Sequence, residues 1–242
     1  MFSYDREKEL EEFVKTLGIE NVELELLDVA LTHPSFYFER NIEDGPDYER
    51  LEFLGDSVLR LSISEYLFDK YIDFDEGKLT KIRSYLVSDE FLSRLALKIE
   101  LNKVLNIGVH EEKDKGRTKT SIIACAMEAV FGAIFKSCGF EIAKNFVLSL
   151  FEKEDFDIQK ILYMYNSKEL LQQYTQGQNK DLPTYKLVAE MGKAHDKTYI
   201  IAVEYQGKEL GRGISKTKKE AEKMAAYNAL VSLKIVSENL NE

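Results

Sequence analysis

The sequence predicts an all-α domain followed by a small α+β module of α-β-β-β-α order, and three observations carry that prediction. Apolar residues recur at helical spacing through most of the first 152 residues. Beyond residue 166 the pattern becomes one helix, three alternating runs and a closing helix. The charge shifts too: from Tyr163 to Glu242 there are 12 Lys and Arg against 10 Asp and Glu, and before Tyr163 there are 21 against 33. Together these features place a first domain at 1–152, a linker at 153–166 and a second domain at 167–235.

Residues 5–17 put Leu10, Phe13, Val14 and Leu17 on one helical stripe, and residues 23–33 do the same with Leu24, Leu27, Ala30 and Leu31. Gly18 and Pro34 act as stop signals. His33 closes the second helix, where the dipole favours a cation, and reads as structural. A loop at Asn41 to Pro46 leads to Asp47, a cap for a helix running to about Asp69. Asp73 to Gly77 is an acidic turn before a helix from Lys78 to Val87, and Ser88 or Asp89 caps the next. Glu111 to Lys119, of mixed charge around Gly116, reads as an exposed loop. An alanine- and glycine-rich helix follows from Ser121 to Phe135, and another from Glu141 to Phe151. The second domain reads as a helix (Ser167 to Gln176), strands at Thr184–Met191, Lys197–Tyr205 and Lys208–Ile214, and a helix from Thr217 to Leu233.

With 242 residues, 44% of them hydrophobic, the chain is long enough to bury a sizeable core. No apolar run approaches the ~18 residues of a membrane span, and the N-terminus lacks a signal-peptide layout, so no membrane partner and a cytoplasmic location are expected. The two cysteines, Cys125 and Cys138, lack ligand spacing and are expected to be reduced. A net charge of -10 argues at first against a nucleic-acid partner. Divalent cations on the acidic front reverse that argument, because the ion's charge inverts the local field.

The stretch from Glu49 to Ser57 spaces three carboxylates, Glu49, Glu52 and Asp56, by three and then four residues. On a helix they fall within an arc of about 60°. Leu51, Leu54, Val58 and Leu61 gather opposite. Aligned like charges and a glycine at position 55 both cost helix stability, which points to a site. Glu128, a lone carboxylate in an apolar helix, is expensive unless paired or metal-bound and is the natural partner for that row. No Ser/His/Asp set or zinc spacing accompanies these acids. Paired carboxylates also serve glycosidases, but a tight cluster of oxygen ligands suits Mg²⁺-assisted phosphodiester hydrolysis.

In the second domain Lys216, Lys218, Lys219 and Lys223 lie at or near the start of the last helix, where side-chain charge and free backbone N–H groups both favour phosphate. Gln172 and Gln176 share a face of the first helix. His195 falls in the turn between the first two strands. Contacts spread over so small a module fit shape-reading of double-stranded RNA.

These segments resemble the bacterial-type ribonuclease III family. The run Glu49-Arg50-Leu51-Glu52-Phe53-Leu54-Gly55-Asp56-Ser57-Val58-Leu59 is similar to its signature. Ala30 to His33 with Ser35, Asp75 to Gly77, and Glu128 to Ile134 resemble its flanking segments, while Pro183 to Tyr185 and Gly213 to Ala226 resemble a double-stranded RNA-binding domain. The resemblance implies an all-α endonuclease domain, homodimeric and Mg²⁺-dependent with Mn²⁺ as a substitute, that cuts both strands of duplex RNA in RNA processing. The expected products carry 5′-phosphates and short 3′ overhangs. By the same resemblance Glu52, Asp56 and Glu128 are the catalytic metal-site acids, Glu49 and Glu76 line the cleavage valley, and Phe53 plugs into the partner subunit.

The sequence departs from the family at Cys125, which stands where an aspartate is usual. A neutral thiol supplies no charge and is a poor Mg²⁺ ligand. Gln173 and Glu169 also replace usual residues on the RNA-facing helix. Two readings follow: an endonuclease that tolerates Cys125 with help from Asp114 or Mn²⁺, and a double-stranded RNA-binding homodimer with little or no cleavage.

Overall fold

The computed structural model describes residues 3–42, 45–154, 156–179, 181–192 and 197–236. Two compact units divide between Asp155 and Phe156. The first contains α1 (Tyr4–Leu17), α2 (Leu24–Ala30), α3 (Ser35–Phe38), α4 (Glu49–Lys70), α5 (Glu76–Leu86), α6 (Asp89–Lys98), α7 (Val109–Lys113), α8 (Thr120–Cys138) and α9 (Phe140–Phe151). The second contains α10 (Ile158–Asn179), β1 (Thr184–Met191), β2 (Thr198–Tyr205), β3 (Lys208–Ser215) and α11 (Lys218–Ser232). α10 begins well before Ser167, so much of the stretch expected as linker is helix. Asp157 explains the start, since its carboxylate accepts the Lys160 backbone N–H at 3.0 Å.

α8 is the central helix of the first unit. Its residues Ala126, Met127, Ala129, Val130, Phe131, Ala133 and Ile134 are fully buried. Contrary to the sequence expectation, its 19 residues are long and apolar enough to pass for a membrane span by length and composition, and 61% of the apolar window is buried inside the protein. It packs most extensively on α4. Two glycines set that contact. A Cβ on Gly55 would lie 1.7 Å from the Glu128 carbonyl oxygen, and one on Gly132 would lie 2.3 Å from the Leu51 carbonyl oxygen. The helices therefore meet backbone to backbone, which only glycine allows.

That packing decides the sign of a substitution. Alanine is about 1 kcal/mol better than glycine within a helix, yet Gly55→Ala is expected to lower stability by about 1–3 kcal/mol, because the obstacle is a carbonyl rather than a flexible side-chain tip. A fall in the urea midpoint at unchanged slope checks this.

Several local expectations change. Leu51 and Val58 are buried as expected, but Leu61 is 56% exposed. Tyr48 holds the cap position of α4 without a side-chain bond, while Asp47 accepts the Glu49 N–H at 3.1 Å. Asp75 caps α5 and Ser88 caps α6. The supposed loop at 111–119 contains the end of α7 and a 3₁₀ turn at Gly116–Thr118, braced by Arg117 donating to Glu112. His33 is not a dipole-held cation. Its Nδ1 accepts the Ser35 N–H at 3.1 Å, its ring meets Tyr48 edge-on, and burial lowers its pKa.

In the second unit β1, β2 and β3 form an antiparallel sheet in sequence order. Gln206 (φ 50°) and Gly207 (φ 74°) make the left-handed two-residue turn that a tight hairpin between β2 and β3 requires. α10 and α11 cover one face, with Leu171, Val203, Ala225, Ala226, Ala229 and Leu230 at the core.

Candidate active site

Because Gly55 sits against the Glu128 backbone, the two helices bring their acids to one cleft. Its lining comprises Glu49, Glu52, Phe53, Asp56, Ser57 and Arg60 from α4, Val87 and Asp89 around the start of α6, and Glu128 from α8. The volume is about 520 Å³. The predicted partnership of Glu128 with the α4 row is thus present.

Charge in this cleft is unevenly matched. Arg60 donates through Nε to both Asp56 oxygens, at 2.6 and 2.8 Å. The Glu128 carboxyl is pushed up to about 8, first by desolvation and then by the charges of Asp56, Glu52 and Asp89, with Arg60 acting in the opposite direction. Glu52 accepts a hydrogen bond from the Cys125 thiol. Burial above all, then the Glu52 charge and this hydrogen bond, push that thiol up to about 12, so it is neutral at physiological pH. Tyr48 packs nearby, its phenol also raised, chiefly by burial and then by Cys125 and Glu52.

Among the described residues no three of these side chains converge as a ready-made metal cage. Asp56 is engaged by Arg60 and Glu52 by Cys125. The donor set nevertheless fits a hard divalent cation. Glu52, Asp56 and Glu128 are oxygen donors that repel one another across a wet cleft, and a cation relieves that repulsion.

The raised Glu128 pKa has a consequence for folding. Its folded value exceeds the ordinary 4.5, so the folded state binds the extra proton and stability falls as pH rises from about 4.5 toward 8. Without added divalent cation, Glu128→Gln is expected to melt higher than the parent at pH 9 and alike at pH 4. Equal pH profiles by scanning calorimetry would contradict the assignment.

The remaining predicted residues are distributed as follows. Phe53 is 78% exposed at the cleft rim, so it is not core packing. Glu76 lies apart, accepting a hydrogen bond from Thr80 in a second cavity with Phe68, Phe74 and Arg83. Asp114 is exposed, lies 3.9 Å from the Lys119 ammonium and does not line the cleft. Two charged lining residues, Arg60 and Asp89, are not among the predicted site residues. Arg60 was legible as the fourth residue after Asp56, whereas Asp89 was read only as a cap.

In the second unit Gln172 and Gln176 are exposed on α10, and Lys218 and Lys219 are exposed at the start of α11, where Thr217 caps. Lys218 lies 5.4 Å from the Tyr199 ring centre. Lys223 is more committed, paired with Glu220 at 2.8 Å and over the Tyr165 ring at 4.1 Å. His195 lies outside the described residues.

A helical domain with an acidic cleft, followed by an α-β-β-β-α module with a lysine-bearing helix start, defines a nuclease-type domain with a nucleic-acid-binding companion. Residues 23–154 match the family described as ribonuclease-III-like, and residues 167–233 match the double-stranded RNA binding motif. The protein named Ribonuclease 3 of Borreliella afzelii is 40% identical, over 98% of this chain and 96% of its own. That of Treponema denticola is 41% identical, over 94% and 92%. The nuclease domain of ribonuclease III from Campylobacter jejuni superimposes with a TM-score of 0.56 at 40% identity, covering 60% of this chain and 96% of that one. The chain belongs to the ribonuclease III family, a family of endoribonucleases.

Proposed function

We propose that the chain is a divalent-metal-dependent endoribonuclease that hydrolyses phosphodiester bonds of double-stranded RNA, leaving 5′-phosphates and short 3′ overhangs. It acts as a homodimer in cytoplasmic RNA processing. The observation that carries the reading is that Glu52, Asp56 and Glu128 line one cleft in a chain of this family. A cation bound there, Mg²⁺ or Mn²⁺, would activate water and neutralise the leaving oxygen. Glu52 and Glu128 offer carboxyl oxygens from opposite walls of the cleft, and a bound cation would draw the proton from the raised Glu128 carboxyl. Arg60 pairs with Asp56 and can release it readily, since an i,i+4 pair at the surface contributes only about 0.3–0.5 kcal/mol. Glu49 adds charge at the entrance. Lys218 and Lys219 bind the duplex backbone, and Gln172 and Gln176 reach groove edges.

Homodimerisation is supported by the exposed apolar side chains of α4. Phe53, Leu61 and Phe68 of α4, with Ile72 just beyond its end, are 78, 56, 71 and 85% exposed, apolar surface of the kind that marks a contact with a partner. A region of the Campylobacter relative is described as involved in dimer formation.

The neutral Cys125 thiol favours a second reading, a double-stranded RNA-binding homodimer that cleaves weakly or not at all. One assay separates the two. A long uniform RNA duplex incubated with Mg²⁺ or Mn²⁺ is expected to be cut, and Cys125→Asp is expected to raise the rate about tenfold. Intact duplex with both ions, with binding retained, would leave only the binding protein. An unchanged rate in the Cys125→Asp protein would show that no ligand is missing at that position.

A further inference from the structure

The α4 wall of the cleft carries Glu49, Glu52 and Asp56, but α8 offers one carboxylate, Glu128, and a neutral thiol. Arg60 offsets part of the α4 charge by holding Asp56. Asp89, from a third element, lines the same cleft. It is exposed at the first position of α6. Among the described residues it makes no side-chain hydrogen bond or ion pair, and its charge acts on both Glu128 and Cys125. Capping of α6 does not need it, because Ser88 already accepts the Phe91 N–H.

We propose that Asp89 serves the divalent cation as the carboxylate that Cys125 cannot be, completing the α8 side of the site from the start of α6. The proposal rests on the metal-site reading above. Physically it requires only that the ion's field reach Asp89. Mg²⁺ and Mn²⁺ retain waters in their coordination sphere, and a rim carboxylate accepting hydrogen bonds from such waters raises affinity as an outer ligand does. Asp114, the residue expected to help, is excluded by position. The competing role for Asp89 is electrostatic support of the α6 N-terminus. That role predicts a change in stability and none in metal affinity.

The test is direct Mn²⁺ binding to the full chain, without RNA, read from the free-ion electron paramagnetic resonance signal. Asp89→Asn preserves size and hydrogen-bonding capacity at the helix start, and Asp89→Ser provides a second variant should it fold poorly. Either is expected to weaken Mn²⁺ binding about tenfold. Cys125→Asp is expected to tighten it, and adding Cys125→Asp to Asp89→Asn should recover the parent affinity, because one carboxylate replaces the other. Unchanged affinity in Asp89→Asn while Glu128→Gln loses binding would overturn the proposal and leave the metal site standing. Weakening that Cys125→Asp does not relieve would also overturn it, since Asp89 would not then be the substitute. Unchanged binding in Glu128→Gln would instead bring down the metal-site reading itself.

Discussion

Glu128→Gln is expected to lower the rate of duplex cleavage by about 10²–10³-fold while leaving duplex binding unchanged. The substitution is nearly isosteric, so the α4–α8 contact at Gly55, which uses only the Glu128 carbonyl, is preserved. What disappears is the one carboxyl on the α8 wall, opposite Glu52 and Asp56, which can ionise when a cation binds and which an amide cannot replace. Binding should survive because the proposed duplex contacts lie in a separate compact unit. Glu128→Asp distinguishes charge from placement. It restores the carboxylate one methylene short, and an intermediate rate is expected. Single-turnover cleavage with saturating protein measures the chemical step apart from association. If Glu128→Gln cleaves at the parent rate, the cleft is not the active site.

Much of that cleft was legible in the sequence, for a reason that periodicity explains. The 3.6-residue repeat fixes which side chains share a helical face, so Glu49, Glu52 and Asp56 could be placed together without coordinates. A lone acid in an apolar helix marks a cost that something must offset, and Glu128 was found that way. Gly55 was recognised as an anomaly, but its cause was not. It is required by contact with the Glu128 carbonyl, a tertiary fact with no local signature. Leu61 shows the limit of pattern from the other side: periodicity turned it inward, and α4 leaves it exposed. Asp89 could not be seen at all as a site residue. Its spacing from Ser88 satisfies a capping rule, and only the packing of α6 against α8 carries it to the cleft.

The lysines of the second unit show the same division between pattern and placement, and they set the other large expected effect. Read from sequence, Lys218, Lys219 and Lys223 are equivalent charges near one helix start. The structure separates them. Lys218 and Lys219 are exposed beside the first N–H groups of α11, and Lys219 makes no ion pair among the described residues. Lys223 is half-buried, its charge shared with Glu220 and the Tyr165 ring, and its backbone carbonyl accepts the Ser167 hydroxyl at 2.8 Å. The double substitution Lys218→Ala with Lys219→Ala is therefore expected to weaken duplex binding about tenfold at moderate salt and to flatten the dependence of log K on log salt by about 2. Lys223→Ala should flatten the slope less, because that ammonium is already partly neutralised, and should cost stability through the lost packing of its stem on Tyr165. Titrations of a labelled RNA duplex at several salt concentrations check both. An unchanged slope in the double variant would remove the start of α11 from the RNA contact, and a larger change from Lys223 alone would mean that its pairing with Glu220 opens when the duplex binds.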